Sequence, residues 1–407
     1  MSELLTVEEH RARILAAVNA LPVETVRLDE AAGRTLAADV RARHDLPGDD
    51  NSSMDGFAVR FADVEGADAE SPVPLRVVAD LPAGSADDPA FGPGEAVRIM
   101  TGAPVPTGAD AIVPFEDTAG GLADSLGTVE VLHAPAAAGA FIRRRGGDVR
   151  TGDAVLTAGE RLGSYALAAA AAAGVDRLEV RRRPRVAVVS TGSELVAPGT
   201  TPGRGQTPDS NGVLLNALVT GADAEVTVLA SVADEPSAIE AVLEHASNVD
   251  VVVFSGGVSA GAYEPVRLAL SERIAFDKVA MQPGKPQAFG VVDDGRLVFG
   301  LPGNPVSVAV SFEVFVRPAL LALQGRTAID RRHARLTASE SWRTPPGRRQ
   351  YLPAVVDLVA GTVRPATAGG SGSHLAASLA RAEAFAIVPA EVSVVAVGDP
   401  VDVMLIP

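Results

Sequence analysis

Between Val186 and Leu323 short β-branched runs alternate with segments of helical composition, and three of the runs end in a glycine turn. This alternation constrains the chain more than any other feature. Strands separated by helices pair in parallel and carry their crossover helices on the faces of the sheet. Strands are expected at residues 186–190, 225–230, 249–254 and 297–300, and helices near 213–220, 236–246, 264–270 and 305–323. The first strand runs into Ser190-Thr191-Gly192-Ser193-Glu194. The third runs into Ser255-Gly256-Gly257-Val258-Ser259-Ala260-Gly261, and the fourth into Leu301-Pro302-Gly303-Asn304-Pro305. Ligands of open parallel sheets sit beyond the carboxyl ends of the strands. Loops without bulky side chains present backbone N–H groups there to phosphate or another oxyanion. One such loop is explained by a turn alone; three on one edge point to a nucleotide-sized anion site. None is a Walker loop or a G-x-G-x-x-G fingerprint, which sets aside the usual ATPase and dehydrogenase readings. Glu194, Asp234 and Glu264 fall on the same expected edge, where carboxylate oxygens suit Mg²⁺. Each is also a natural helix N-cap, Asp234 before Glu235-Pro236 above all.

The flanks differ in texture. Thr6-Val7-Glu8-Glu9 reads as a capping box that opens a helix to about Leu21, and Gly33 closes a short helix begun near Asp29. From 46 to 148 short apolar runs at 75–78, 96–100, 111–114 and 128–132 stand between Pro and Gly clusters, the pattern of a small β domain. A helix is expected at 164–173, ending at Gly174. After Gln324-Gly325 a second β segment follows, with strands near 334–340, 351–358, 384–388 and 401–406. With 407 residues, the chain calls for about two to four domains. It has no cysteine, which excludes disulfides, thiolate metal sites and a cysteine nucleophile. A formal charge of -16 argues against a general nucleic-acid binder, which needs a basic face. No uninterrupted apolar run approaches the roughly 18 to 20 residues of a membrane span, and no secretory signal opens the sequence. A cytoplasmic protein is expected.

Seven ordered motifs resemble the MoeA family, which includes the E domain of gephyrin. They are Asp50-Asn51-Ser52-Ser53-Met54-Asp55-Gly56-Phe57-Ala58-Val59-Arg60, Arg98-Ile99-Met100-Thr101-Gly102-Ala103-Pro104 and Arg143-Arg144-Arg145-Gly146-Gly147-Asp148. Residues 190–195, the 255–261 loop, Gln282-Pro283-Gly284-Lys285-Pro286 and residues 300–305 complete them. The resemblance covers nearly the whole chain. It implies a multidomain α/β fold, with a three-layer α/β molybdopterin-binding domain at 182–325. Residues 1–45 plus 149–181 would form a discontinuous, mixed helical dimerisation domain, 46–148 an inserted β domain and 326–407 a C-terminal β domain.

The resemblance also implies an elongated homodimer that converts adenylylated molybdopterin and molybdate to molybdenum cofactor, with release of AMP and help from Mg²⁺. The active cleft would lie between the α/β domain of one subunit and the inserted β domain of the other. Asp55, Thr101, Asp148, Glu194 and Asp234 would be its catalytic residues, with Asp55, Glu194 and Asp234 holding the metal. The nucleotide and pterin would lie on Ser190, Thr191, Gly192, Ser255, Gly256, Gly257, Ser259, Gly261, Glu264, Lys285, Pro302, Gly303, Asn304 and Pro305. Molybdate would meet Lys285, Pro286, Ser307, Arg348 and Ser373. The adenylylating enzyme and recipient molybdoenzymes would be its partners. Three positions depart from the family pattern: Gln282 replaces a frequent lysine, Ala262 a frequent acid and Gln350 a common glutamate. Two other readings compete, a non-catalytic molybdopterin-binding scaffold and a molybdopterin adenylyltransferase. The second needs only the α/β segment, and the retained acids weigh against the first.

Overall fold

The structure is a computed structural model that describes residues 4–123, 126–259, 264–367 and 376–406. Its centre is a six-stranded sheet of Arg185–Thr191 (β1), Glu225–Val232 (β2), Val251–Ser255 (β3), Ala275–Lys278 (β4), Pro286–Val291 (β5) and Leu297–Leu301 (β6). The spatial order is β2-β1-β3-β6-β5-β4. β2, β1, β3 and β6 are mutually parallel, as the alternation predicts. β5 runs antiparallel to both β6 and β4, so the sheet is mixed and β5 alone is reversed.

Consecutive strand residues face opposite sides. Val186, Val188, Val251 and Val253 enter one core, with Leu215 and Val219 of the helix Ser210–Gly221 and Val310 and Leu320 further along. Ala187, Val189, Val252 and Phe254 enter the other, with Ile239, Leu243, Val266 and Leu270 from the helices Pro236–His245 and Pro265–Leu270. Both faces are covered, and the result is the expected three-layer α/β unit. Residues 305–323 form the continuous helical stretch Pro305–Ser311, Phe312–Val316 and Arg317–Leu323, the middle piece a π turn. Ser307, Ser311, Glu313 and Arg317 interrupt this stretch, so it is no uninterrupted apolar run, although its length of 19 residues and mean hydropathy of 1.8 would suffice to cross a membrane. It is a core helix: 89% of its most apolar window is buried inside the fold.

The N-terminal helix Val7–Ala16 carries the capping box, Glu9 N–H donating to Thr6 Oγ1 at 3.1 Å and Thr6 N–H to Glu9 Oε2 at 2.8 Å. It ends at Ala16, short of Leu21: the Ala17 and Val18 N–H groups bond back only three residues, to Ile14 O and Leu15 O, and the Leu21 N–H donates outside the helix to Leu323 O at 2.8 Å. Val23–Arg27 pairs with Arg177–Arg181, and Val40–Arg41 with Ala154–Leu156. The chain between them builds its own five-stranded sheet from Ala111–Pro114, Gly56–Val59, Glu95–Ile99, Val73–Leu81 and Thr128–Val131. Gly56 is required there. A Cβ on it would stand 2.0 Å from Val113 O.

After the α/β unit, Arg349–Asp357, Thr362–Pro365, His333–Ala338, Pro400–Leu405 and Ala384–Val388 pair in that order. Ala384–Val388 then returns to Arg349–Asp357, so the sheet closes into a small barrel. Met281–Gln282 leaves the α/β unit to add a parallel strand to Arg349–Asp357.

Candidate active site

The carboxyl ends of β1, β3 and β6 bring the three glycine loops together. Gly192 N–H donates to Val232 O at 3.1 Å, tying the first loop to the end of β2, and Gly256 N–H donates to Leu301 O at 2.9 Å. Gly256 has φ of +96°, and a Cβ there would meet Thr191 Oγ1 at 2.7 Å and Thr191 O at 2.8 Å. Only glycine lets the first two loops close to this distance. The reversal of β5 brings a fourth element. β4 runs with the parallel strands, so the β4–β5 connection turns at their carboxyl edge, with Lys278 paired to Pro286. That turn holds Lys285.

These loops enclose a cleft of about 560 Å³. Its wall includes Thr191, Gly192, Glu194, Asp234, Gly256, Gly257, Ser259, Glu264, Lys285, Pro286, Pro302, Gly303, Asn304, Ser307 and Arg348. Ser190, Ser255 and Pro305 are not in it. Ser190 is fully buried and donates through Oγ to Asp209 Oδ1 at 3.0 Å, and Ser255 Oγ in turn donates to Ser190 Oγ at 3.4 Å. Asp209 Oδ1 also caps the helix Ser210–Gly221 through Gly212 N–H at 2.9 Å. The two serines therefore brace the loops from beneath. Gly261 and Ser373 lie outside the described residues.

Asp234 does not cap the helix that follows it. The cap position is Glu235, and the Asp234 Oδ2 accepts the Ser193 N–H at 3.1 Å while Ser193 Oγ accepts the Asp234 N–H at 3.2 Å. This reciprocal pair fixes the loop that carries Glu194, whose exposed carboxylate folds over Gly192. Glu264 Oε2 accepts the Ser259 N–H at 2.8 Å.

On the cationic side, neither Lys285 nor Arg348 takes part in an ion pair among the described residues. The Lys285 turn is anchored by buried Gln287, whose Nε2 donates to Gly284 O and to Ser311 Oγ, each at 2.7 Å. Among the described residues no group of three or more His, Asp or Glu side chains is close enough to cage a metal.

Asp55, Thr101 and Asp148 are not in this cleft. They belong to the segment of the five-stranded sheet and its approaches. Asp55 Oδ1 accepts the Thr101 N–H at 2.6 Å and the Thr101 hydroxyl at 2.7 Å, bonds that hold its carboxyl below the usual range. Both side chains are exposed, as is Asp148. Thus one chain assembles Glu194 and Asp234 with the glycine loops, Lys285, Pro286, Ser307 and Arg348, and leaves Asp55 apart from them. Beside Asp148, Arg144 is paired with Asp50 and Arg145 with Asp45.

Two polar side chains of the cleft wall escaped the sequence reading. Asn211 donates through Nδ2 to Gly303 O at 2.6 Å, joining the helix Ser210–Gly221 to the third loop, while its Oδ1 is buried without a partner. Its place two residues after the Asp209 cap was the available signal. Gln282, noted only as a departure, also lines the wall.

Family models match in three blocks: "MoeA N-terminal region (domain I and II)" over residues 5–174, "Probable molybdopterin binding domain" over 187–322 and "MoeA C-terminal region (domain IV)" over 335–406. The chain is 44% identical over 402 residues to molybdopterin molybdenumtransferase 2 of Mycobacterium tuberculosis, covering 97% of each. It is 32% identical to the molybdopterin molybdenumtransferase of Staphylococcus aureus, covering 98% of this chain and 95% of that one. The crystal structure of the molybdopterin biosynthesis MoeA protein of Pyrococcus horikoshii OT3 superposes with a TM-score of 0.84 at 28% identity, covering 99% of this chain and 100% of that one.

Proposed function

Because the chain belongs to the MoeA family of molybdenum-cofactor biosynthesis, we propose that its cleft cleaves adenylylated molybdopterin and loads the pterin dithiolene with molybdate, releasing AMP. The chain is a molybdopterin molybdenumtransferase in this reading, as its full-length relatives are named. One observation carries the assignment to this cleft: the glycine loops, the acids Glu194 and Asp234, and the cations Lys285 and Arg348 line the same 560 Å³ space.

Each part has a task. Loop N–H groups bind phosphoanhydride oxygens at the carboxyl edge. Glu194, exposed to the cleft, accepts a hydrogen bond from the water that attacks the anhydride and so orients it. Asp234 holds the Glu194 loop through Ser193. Lys285, Arg348 and the Ser307 hydroxyl offer charged and neutral donors to a tetrahedral dianion, with Pro286 beside them.

Mg²⁺ is commonly held by one or two carboxylates together with substrate phosphates and water. Glu194 and Asp234 fit that pattern, and Asp55 would complete the set from a second subunit. The ion, when bound, would offset the charge of the phosphoanhydride. The same reading makes the protein a cytoplasmic homodimer, divided into 1–45 plus 149–181, 46–148, 182–325 and 326–407. It would take its substrate from the adenylylating enzyme and pass its product to molybdoenzymes.

Purified protein given adenylylated molybdopterin and Mg²⁺ is expected to release AMP only when molybdate is added. Release of AMP at the same rate without molybdate, or none with it, would overturn the assignment.

A further inference from the structure

Among the described residues, two besides glycine hold φ in the left-handed region, Asp223 at +56° and Phe141 at +59°. Asp223 has a local reason. It follows the helix Ser210–Gly221, where a left-handed residue closes the last turn, and Arg161 and Arg326 take up its carboxylate. Phe141 has no such reason. A left-handed backbone disfavours a bulky side chain, and glycine or asparagine would sit there at less cost. Burial does not offset that cost, since Phe141 is 40% exposed and pairs with no other ring among the described residues. Nor is this the conformation of a loose loop. Phe141 O accepts the Ser53 N–H at 2.9 Å and the Ser53 hydroxyl at 3.0 Å. The Ile142 N–H donates to Gly139 O at 3.2 Å, and Ile142–Arg143 pairs with Asn51–Ser52. Strain that the surroundings hold in place is characteristic of ligand clamps.

The held segment borders the Asp55 carboxylate. From the other side the Gly102 N–H donates to Ser52 O at 2.9 Å. Phe141 and Gly102 therefore flank the Ser52–Ser53 backbone, about 10 Å apart at two strand spacings. Thr101, next to Gly102, is the residue that donates twice to Asp55. A fixed, partly exposed aromatic and that carboxylate are thus within reach of one nucleotide-sized ligand.

We propose that Phe141 is a stacking platform for the planar heterocycle of the substrate, adenine or pterin. The proposal rests on the reading above in which Asp55 completes the cleft of a second subunit, because the same sheet carries Phe141 there. Both heterocycles offer a flat π face, and a stack removes that face and the Phe141 ring from water together. The Ser53 clamp sets the backbone of Phe141 in advance, so little ordering opposes the stack.

The test measures molybdate-dependent AMP release against substrate concentration, with a thermal melt and a light-scattering mass for every variant. Phe141→Asn is expected to melt at or above wild type, since asparagine tolerates the left-handed backbone. Its mass should be unchanged, its KM should rise about tenfold, and its kcat should stay within about twofold, the signature of lost stacking that ground and transition states share. Phe141→Trp keeps a π face and is expected to hold KM within about threefold of wild type. Calorimetric titration with AMP tells the two heterocycles apart: a matching loss in Phe141→Asn puts adenine on the ring, and an unchanged AMP affinity beside a raised KM puts the pterin there. A Phe141→Asn protein with wild-type KM would overturn the proposal, and so would one that falls to a monomer mass, which would make Phe141 a subunit contact. Should Phe141→Asn fail to fold, Phe141→Leu keeps the bulk without the ring and must show the same rise in KM; an unchanged value there would overturn it equally. Wild-type protein that releases no AMP would instead remove the reading of the cleft itself, a result separate from any difference among variants.

Discussion

Glu194 stands at the end of β1 on a loop whose shape is set by its neighbours, Gly192 beneath it and Ser193 bound to Asp234. Its side chain is exposed to the cleft and supports no core, so its charge is separable from the fold. Glu194→Gln is therefore expected to melt near wild type and to lose about 10² to 10³ in molybdate-dependent AMP release, the usual cost of removing one group that stabilises the transition state. Near-normal turnover would rule out the assigned task, and a large drop in melting temperature would give Glu194 a structural one. His10 shows the opposite case, a titratable group placed for packing. It is 1% exposed, meets Phe315 edge-on at 4.8 Å between ring centroids, and leaves Nδ1 without a hydrogen bond. Burial lowers its pKa to about 4, against the pull of Asp277 at 3.6 Å. The unfolded chain, with a histidine pKa of about 6.5, thus binds the proton first. Stability from His10 is whole above about pH 6.5 and is lost as pH falls toward 4, by about 3 kcal/mol in all. Urea denaturation across that range is expected to show this decline, and His10→Phe to flatten it. Equal slopes in the two proteins would exclude His10 as the source.

Among the elements, those the sequence revealed most clearly are those with a strong local period. β1, β3 and β6 are buried on both faces and read as continuous apolar runs, and their glycine loops mark their ends. The capping box of the first helix is also local, between Thr6 and Glu9. What stayed hidden depends on pairing at a distance. Ala275–Lys278 is four residues long and ends in Asp277 and Lys278, so no apolar run announces it. Without β4 the direction of β5 has no local signature, yet that reversal is what brings Lys285 to the glycine loops. Asn211 was hidden likewise, since only folding sets it against Gly303. The stretch from Pro305 to Leu323 reads as one helix, but its middle turn is π and holds buried Glu313. Arg331 meets that carboxylate through two bonds of 2.8 and 2.9 Å, and Arg317 lies 3.9 Å away, its own pKa lowered to about 10 by burial. Glu313→Gln leaves both guanidiniums without their counter-charge and is expected to destabilise the protein by about 3 kcal/mol or more in guanidinium denaturation. A loss below about 1 kcal/mol would mean that water reaches the pair and screens it.

For the molecule as a whole, the open question is where Asp55 does its work. One chain gathers Glu194, Asp234, Lys285 and Arg348 in a single cleft, while Asp55 and Thr101 belong to the separate five-stranded sheet and are not in its wall. The Asp55 carboxylate is nonetheless built with care, since Thr101 supplies two donors to one oxygen and the neighbouring Gly56 admits no side chain. A twofold dimer would resolve this if each cleft took its acid wall from one subunit and the Asp55–Thr101 corner from the other. Two damaged proteins then repair each other. Asp55→Asn and Glu194→Gln are each expected to be nearly inactive alone. Unfolded together at equal concentration and refolded, they form about half mixed dimers, and each mixed dimer holds one cleft with both native residues and one with neither. Molybdate-dependent AMP release should return to about a quarter of the wild-type rate, with the light-scattering mass of a dimer throughout. A monomer mass at micromolar concentration, or a mixture no more active than its parts, would confine the chemistry to one chain and leave Asp55 a structural acceptor for Thr101.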